Sequence, residues 1–303
     1  MSRAPDLVIL GNLIIDDVVA EDGSTRLGQP GGATLYCALG ASLWGCAVGL
    51  VSRRGDDYPD ATLAALATRG VDLAGVLALG RPGGRCWLRY RGGRRTIEPQ
   101  AGRPGHLAIS PAADEIPVHY LGARHFHVAP MPFIAQHSIV DRLARLSGDR
   151  ISLDPHLPLR EDTLDGWQRL LRQVDRFFIG HDEVQLAQLD PQWPRSFATA
   201  VGGRLQQVIV KRGSEGGLVY DVATDRVTPW RAARWPVVDP TGAGDSFAGG
   251  VLSGLLAGAP LVDALQRGLV SASFALADHG ADGLLRATPA QAQARLAELT
   301  GAA

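Results

Sequence analysis

Short β-branched runs recur along the chain, at Leu7 to Leu10, Ile151 to Leu153, Phe177 to Ile179 and Gln207 to Val210. Longer Ala- and Leu-rich segments lie between them. Their spacing predicts helices at Thr34–Leu43, Asp60–Arg69, Ile134–Leu146, Asp165–Gln173, Gly244–Ala257 and Leu261–His279. Alternation of this kind predicts an α/β protein with a mostly parallel sheet covered by helices on both faces. No internal repeat, low-complexity tail or linker interrupts the pattern, so residues 1–303 are expected to form one domain.

Two segments break the alternation, at about residues 17–28 and 85–99. Asp17 to Ala20 and Thr25 to Gly28 flank Glu21 to Ser24, and Cys86 to Tyr90 and Arg95 to Pro99 flank Arg91, Gly92, Gly93 and Arg94. Short alternating runs around turn residues predict hairpins. Arg85, Arg89, Arg91, Arg94 and Arg95 make the second one basic, which a solvated face explains better than a phosphate clamp.

Composition narrows the partners. The chain has 30 Lys+Arg against 31 Asp+Glu, a formal net charge of -1, so no global charge favours nucleic acid or an anionic membrane. Its 46% hydrophobic content is enough for a large core, yet no segment reads as membrane-spanning. Arg3, Pro5 and Asp6 precede the first apolar run, which reads as a strand and not as a secretory signal. Cys37, Cys46 and Cys86 lack metal or redox spacing and fit buried positions in a reducing cytoplasm. Lys211 is the single lysine and Asn12 the single asparagine, a bias we attribute to coding.

The strongest chemical signal is VVDPTGAGDSFAGG, residues 237–250. A turn of small residues entering a helix leaves backbone N–H groups free to hold an anionic phosphoryl group, aided by the helix dipole. A carboxylate directly behind it, Asp245, would repel that group and is better used as a general base toward an attacking hydroxyl. A glycine-rich turn with a capping Asp is the alternative reading.

The motif DPTGAGD resembles the signature of the ribokinase-like sugar kinases, the phosphofructokinase-B type family. Other pieces match in the same order: VILGNLIIDD, QPGGATLYCALGASLWG, VSRRGDD, SLDPH, FFIGHDEVQLA and VIVKRGSEGGLVY. The resemblance covers nearly the whole chain. It implies a three-layer α/β/α fold in which the two hairpins form a small lid over the sugar site, a lid that family members often use to form homodimers. It also implies ATP and Mg²⁺ as cofactors, with a monovalent cation such as K⁺ in some members.

By that resemblance Gly242, Ala243 and Gly244 form the anion hole, Asp245 is the base, and Asp239 lies near a cation site, although turn capping explains Asp239 equally well. Glu183 falls on the family's magnesium-organising Glu, acting through water, while the accompanying Asn is Gly180 here. Asp154 matches the Asp of an Asp-Pro-Asn segment whose Asn is His156. Lys211, Gly213 and Gly216 fall on the nucleotide side. Asp16 matches a hydroxyl-binding Asp, and Gly31 and Gly32 match paired glycines that let backbone approach the substrate. A sugar-binding Asn is replaced by Tyr36, which either stacks on a substrate ring or fills space beneath a smaller one.

His125 and His127 share one side of a strand, but without a third ligand they read as structural. Trp87 either covers a sugar or packs against the lid. The leading expectation is an ATP-dependent kinase acting on a small sugar or polyol such as inositol. A nucleoside kinase is the alternative among enzymes, and a non-catalytic binding or regulatory protein the alternative of another class. No Walker-type loop is present.

Overall fold

The computed structural model describes residues 3–92, 94–146, 150–187 and 190–301. Its centre is a nine-stranded sheet, ordered Arg226–Trp230, Gly217–Asp221, Gln207–Lys211, Arg176–Gly180, Ile151–Leu153, His125–Val128, Leu7–Leu10, Val48–Arg54 and Asp72–Ala78. The seven strands from Gln207–Lys211 onward pair in parallel, and the first two add an antiparallel edge.

The first strand shows why its sequence reads as an unbroken apolar run. Leu7 and Ile9 enter one core and Val8 and Leu10 the other, all fully buried. Successive side chains of a strand point to opposite faces, so a sheet covered on both sides needs apolar residues at every position. One face packs against helices Ala33–Ser42, Ala243–Leu256 and Leu261–Leu276, the other against Phe133–Leu146, Leu164–Leu171 and Trp193–Val201.

The expected helices are present with ends shifted by up to three residues, the last stopping at Leu276 instead of His279. Besides the short helices His106–Ile109 and Asp282–Arg286, two longer ones escaped the periodicity reading, Trp193–Val201 and Pro289–Thr300. The second carries a readable start signal, Pro289 in its first turn behind Thr288, which exchanges capping bonds with Gln291.

The two hairpins are not separate ribbons. Ile14–Val19 pairs with Thr25–Gly31, Arg85–Arg91 with Arg94–Pro99, and Ile14–Val19 lies parallel to Arg85–Arg91, giving one four-stranded sheet. Asp17 stitches the junction by accepting bonds from Arg85 Nε and Nη2 at 2.7 Å each, Gln100 Nε2 at 2.6 Å and Gly28 N–H at 2.7 Å. Burial alone would raise its pKa, but these donors hold it below the usual carboxylate range. Gly93 and the side chain of Arg94, both assigned to the second hairpin turn, lie outside the described residues. Trp87 carries the guanidinium of Arg89 over its ring at 5.1 Å. Of the cysteines, only Cys37 is buried. Cys46 and Cys86 are partly exposed, which corrects the expectation for those two.

His125 and His127 are buried and share one partner, the hydroxyl of Ser152, at 3.0 and 2.8 Å. Burial lowers both pKa values, that of His127 to about 3. Each is therefore neutral when folded and gains a proton on unfolding below pH ~6.5, so its contribution is intact above that pH and shrinks as pH falls toward 3. Each should cost about 1.4 kcal/mol per pH unit in that window. In denaturant titrations at pH 7.5 and 5.5, His127→Gln should lose about 1 kcal/mol less than the wild type on acidification. An identical pH slope in the two proteins would contradict this account.

Candidate active site

The helix Ala243–Leu256 begins in the chain's most informative motif. Gly242 caps it at φ 73° and ψ 0°, in the left-handed region. A Cβ there would also collide with the ring of Tyr36, which is 2% exposed and lies directly against the turn. Tyr36 belongs to helix Ala33–Ser42. That helix approaches Ala243–Leu256 through bare backbone, since a Cβ on Gly40 would strike Ser246 and one on Gly249 would strike Cys37. Ala243 N–H turns back to the carbonyl of Pro240, and Ser246 N–H starts the helical ladder at Gly242. Gly242, Gly244 and Asp245 line the cleft, and a helix start leaves its remaining first N–H groups without a helical partner.

Asp239 fixes the approach to the turn. Its Oδ1 accepts from Thr241 N–H and from Tyr90 Oη, each at 2.9 Å, and its Oδ2 accepts from Gly280 N–H at 2.9 Å. Tyr90 comes from the smaller sheet, so one carboxylate ties that sheet to the loop that leads into the motif helix. Both Asp239 oxygens are thus engaged by protein donors.

A cleft of about 540 Å³ lies between the two sheets. It brings together Asp16, Gly32, Tyr36, Glu183, Lys211, Gly242, Gly244 and Asp245, together with Asp154 and His156. Gly31 sits behind it in contact with Asp16, and Ala243 lies between two lining residues. Gly213 and Gly216 instead belong to the turn that follows Lys211 and do not line this cleft.

Lys211 ends its strand beside the turn, its Nζ 3.4 Å from where a Cβ of Gly244 would stand. It forms an ion pair with Asp154. Burial opposes its charge, but Asp154, Glu183 and Asp245 together hold it protonated above the ordinary lysine range. Asp245 is shifted the other way from a free carboxylate: burial raises its pKa, with Lys211 and Arg95 pulling back. Glu183 is also raised by burial against Lys211, and its Oε2 accepts the Gly180 N–H at 2.6 Å. A Cβ at position 180 would press on Glu183 and Asp182, so the glycine gives the folded-back carboxylate its space.

At the other end of the cleft three polar atoms are buried without a partner: Asn12 Oδ1, Asn12 Nδ2 and Asp16 Oδ1. Burial raises Asp16 to about 7, with Arg95 opposing and Asp239 and Asp17 adding to the rise. Unpaired buried polar atoms are costly, and a polyhydroxylated ligand would satisfy all three. Sequence reading missed Asn12, Arg95 and His106 in this cleft. Asn12 was visible as the single asparagine at the end of the first strand, and Arg95 lay in the basic hairpin read as a solvated face.

Among the described residues, no three His, Cys, Asp or Glu side chains gather to hold a metal ion. Mg²⁺ prefers to keep several waters and to bind through one or two carboxylates plus substrate phosphates. Glu183 and Asp154 beside the anion turn fit that mode of binding.

A nine-stranded sheet of mostly parallel strands, a smaller sheet across a cleft from it, and a glycine turn with a half-buried carboxylate behind it fit a phosphotransferase. The pattern of the pfkB family carbohydrate kinases matches residues 5–287, and the chain belongs to that family of ATP-dependent kinases. It is similar to a cytidine kinase of Thermococcus kodakarensis, with 31% identity over 91% of this chain and 97% of that protein. Its fold is that of a ribokinase II from E. coli solved with ATP and Mg²⁺ (TM-score 0.77, 21% identity, 98% of this chain and 100% of that one). It also matches a Burkholderia thailandensis nucleoside kinase solved with inosine (TM-score 0.76, 18% identity, 97% and 98%).

Gly242→Ala should lower stability by about 1–3 kcal/mol, from the left-handed backbone and the Tyr36 collision. It should also weaken ATP binding, because the turn must shift. Denaturant titration and calorimetry with ATP check both effects. Unchanged stability and affinity would mean that the turn is not held against Tyr36.

Proposed function

We propose that the chain transfers the γ-phosphoryl group of ATP to a hydroxyl of a small polyhydroxylated acceptor, a sugar, a polyol such as inositol, or the sugar of a nucleoside. The observation that carries this reading is the conjunction of a left-handed Gly242 turn, the Lys211 ammonium beside Gly244, and a half-buried Asp245 directly behind Gly244.

In this reading Asn12 and Asp16 anchor acceptor hydroxyls, and one hydroxyl lies against Asp245. As the hydroxyl oxygen bonds to the γ-phosphorus, its proton passes to the Asp245 carboxylate and the bond from phosphorus to the bridging oxygen of ADP breaks. The backbone N–H groups of 242–244 and the Lys211 ammonium face the negative charge of the group in transfer. Mg²⁺, organised by Glu183 through water, would neutralise ATP phosphate charge. Asp239 holds the turn in register, and the smaller sheet shields the reacting hydroxyl from water.

A nucleoside acceptor is favoured by one specific observation, the similarity to a cytidine kinase over 97% of that protein's length.

Asp245→Asn should reduce kcat by about 10²- to 10⁴-fold with ATP affinity retained, measured by ADP release against a panel of sugars, inositols and nucleosides. Undiminished turnover would remove Asp245 from the role of base. Burial raises Asp16 to about 7 and raises Asp245 as well, so kcat/KM for the acceptor should fall as pH drops through about 7, where the ionised form of Asp16 is lost. A flat profile from pH 5.5 to 8.5 would contradict that assignment.

A further inference from the structure

The cleft also contains two side chains that phosphoryl transfer does not use. His106 opens the short helix His106–Ile109 that follows the smaller sheet, and His156 follows the strand Ile151–Leu153 in the segment Asp154-Pro155-His156. Their rings meet edge to face, with centroids 4.4 Å apart and planes at 83°. Both line the cleft, His106 half-buried and His156 exposed.

In an edge-to-face pair, the ring presenting its edge keeps both of its own faces clear of its partner, so a flat surface remains for a third ring. Desolvation within the cleft lowers both pKa values, that of His106 to about 4 with His156 adding to the effect. At neutral pH both rings are therefore uncharged, each with one N–H donor and one nitrogen acceptor. Pro104, Ile109 and Pro130 line the cleft with them and supply apolar surface. Neutral rings offer no charge to a second phosphate or a carboxylate on the acceptor, only a single N–H donor each. A monosaccharide presents hydroxyls, for which Asn12 and Asp16 already stand unpaired. An uncharged planar heteroaromatic group joined to a sugar would use both features, its hydroxyls at Asn12 and Asp16 and its ring on the histidine pair.

We propose that His106 and His156 are specificity-determining residues that hold the base of a nucleoside acceptor. The assignment rests on the kinase reading above and narrows its substrate class. It also gives a chemical sense to His156 where the resembling family has Asn. An Asn offers one amide plane, whereas the imidazole adds a ring face to its hydrogen-bonding edge.

The test is steady-state kinetics of the full chain with ATP and Mg²⁺, using ribonucleosides, free ribose and inositol as acceptors. His106→Ala and His156→Ala should each raise KM for ribonucleosides about tenfold, as expected for a lost stacking partner. Both kcat and KM for ATP should stay within about twofold. His156→Phe, which restores a ring face, should recover most of the loss. Thermal melting of each variant separates a binding defect from misfolding. The proposal is overturned if free ribose or inositol is phosphorylated as efficiently as any nucleoside, or if both Ala variants keep the wild-type nucleoside KM. Either result leaves the kinase reading standing. Failure of the wild type to release ADP with any sugar, polyol or nucleoside would instead overturn the kinase reading itself, and the proposal with it.

Discussion

No side chain fits at position 242, because the backbone there is left-handed and the ring of Tyr36 occupies the space a Cβ would need. The rest of the site follows from this contact. Tyr36 reaches the turn because its helix meets helix Ala243–Leu256 through the glycine contacts at Gly40 and Gly249. The same packing buries the start of that second helix, so its N–H groups and Asp245 are held among protein atoms and not left on a mobile loop. Asp239 adds the second constraint, joining Thr241, Gly280 and Tyr90 and so setting the smaller sheet at a defined height over the motif.

Charge in the cleft is mixed, with Lys211, Arg85, Arg95 and Arg103 lining it against Asp16, Asp154, Glu183 and Asp245. Lys211 is bonded to Asp154 and lies within the field of Glu183 and Asp245, so it stays charged although half-buried. The carboxylates grouped around Lys211 suit a divalent cation that would arrive with the triphosphate. At the acceptor end the pattern differs. Asn12 and Asp16 keep unpaired polar atoms in a buried setting, a cost that a hydroxyl-bearing ligand would relieve. Arg95, from the smaller sheet, is the charge felt at both ends, since it lowers Asp16 and Asp245 alike.

Much of this was legible in the sequence, for identifiable reasons. The parallel sheet announced itself because strands buried on both faces must be continuously apolar, as Leu7–Leu10 is. The helix start after Gly242 was legible because a run of small residues precedes an apolar stretch, and the helix begins at Ala243. What escaped depends on contacts between residues distant in the chain. The parallel pairing of Ile14–Val19 with Arg85–Arg91 joins two local hairpins, and no local signal encodes it. The meeting of His106 with His156, fifty positions apart, is of the same kind. Tyr36 left two readings open, stacking or filling, and it lies buried against Gly242. Asn12 was seen but attributed to coding bias, because its lack of partners shows only once the fold surrounds it.

The central claim is that the turn at 242–244 receives the phosphoryl group while Asp245 receives the acceptor's proton. A crystal structure with a non-hydrolysable ATP analogue, Mg²⁺ and a bound acceptor tests it most directly. The account predicts γ-phosphate oxygens within hydrogen-bonding distance of the N–H groups of Gly242, Ala243 and Gly244, and an acceptor hydroxyl on the Asp245 carboxylate, in line with the γ-phosphorus. A triphosphate bound away from that turn, or an acceptor with no hydroxyl within reach of Asp245, would contradict it.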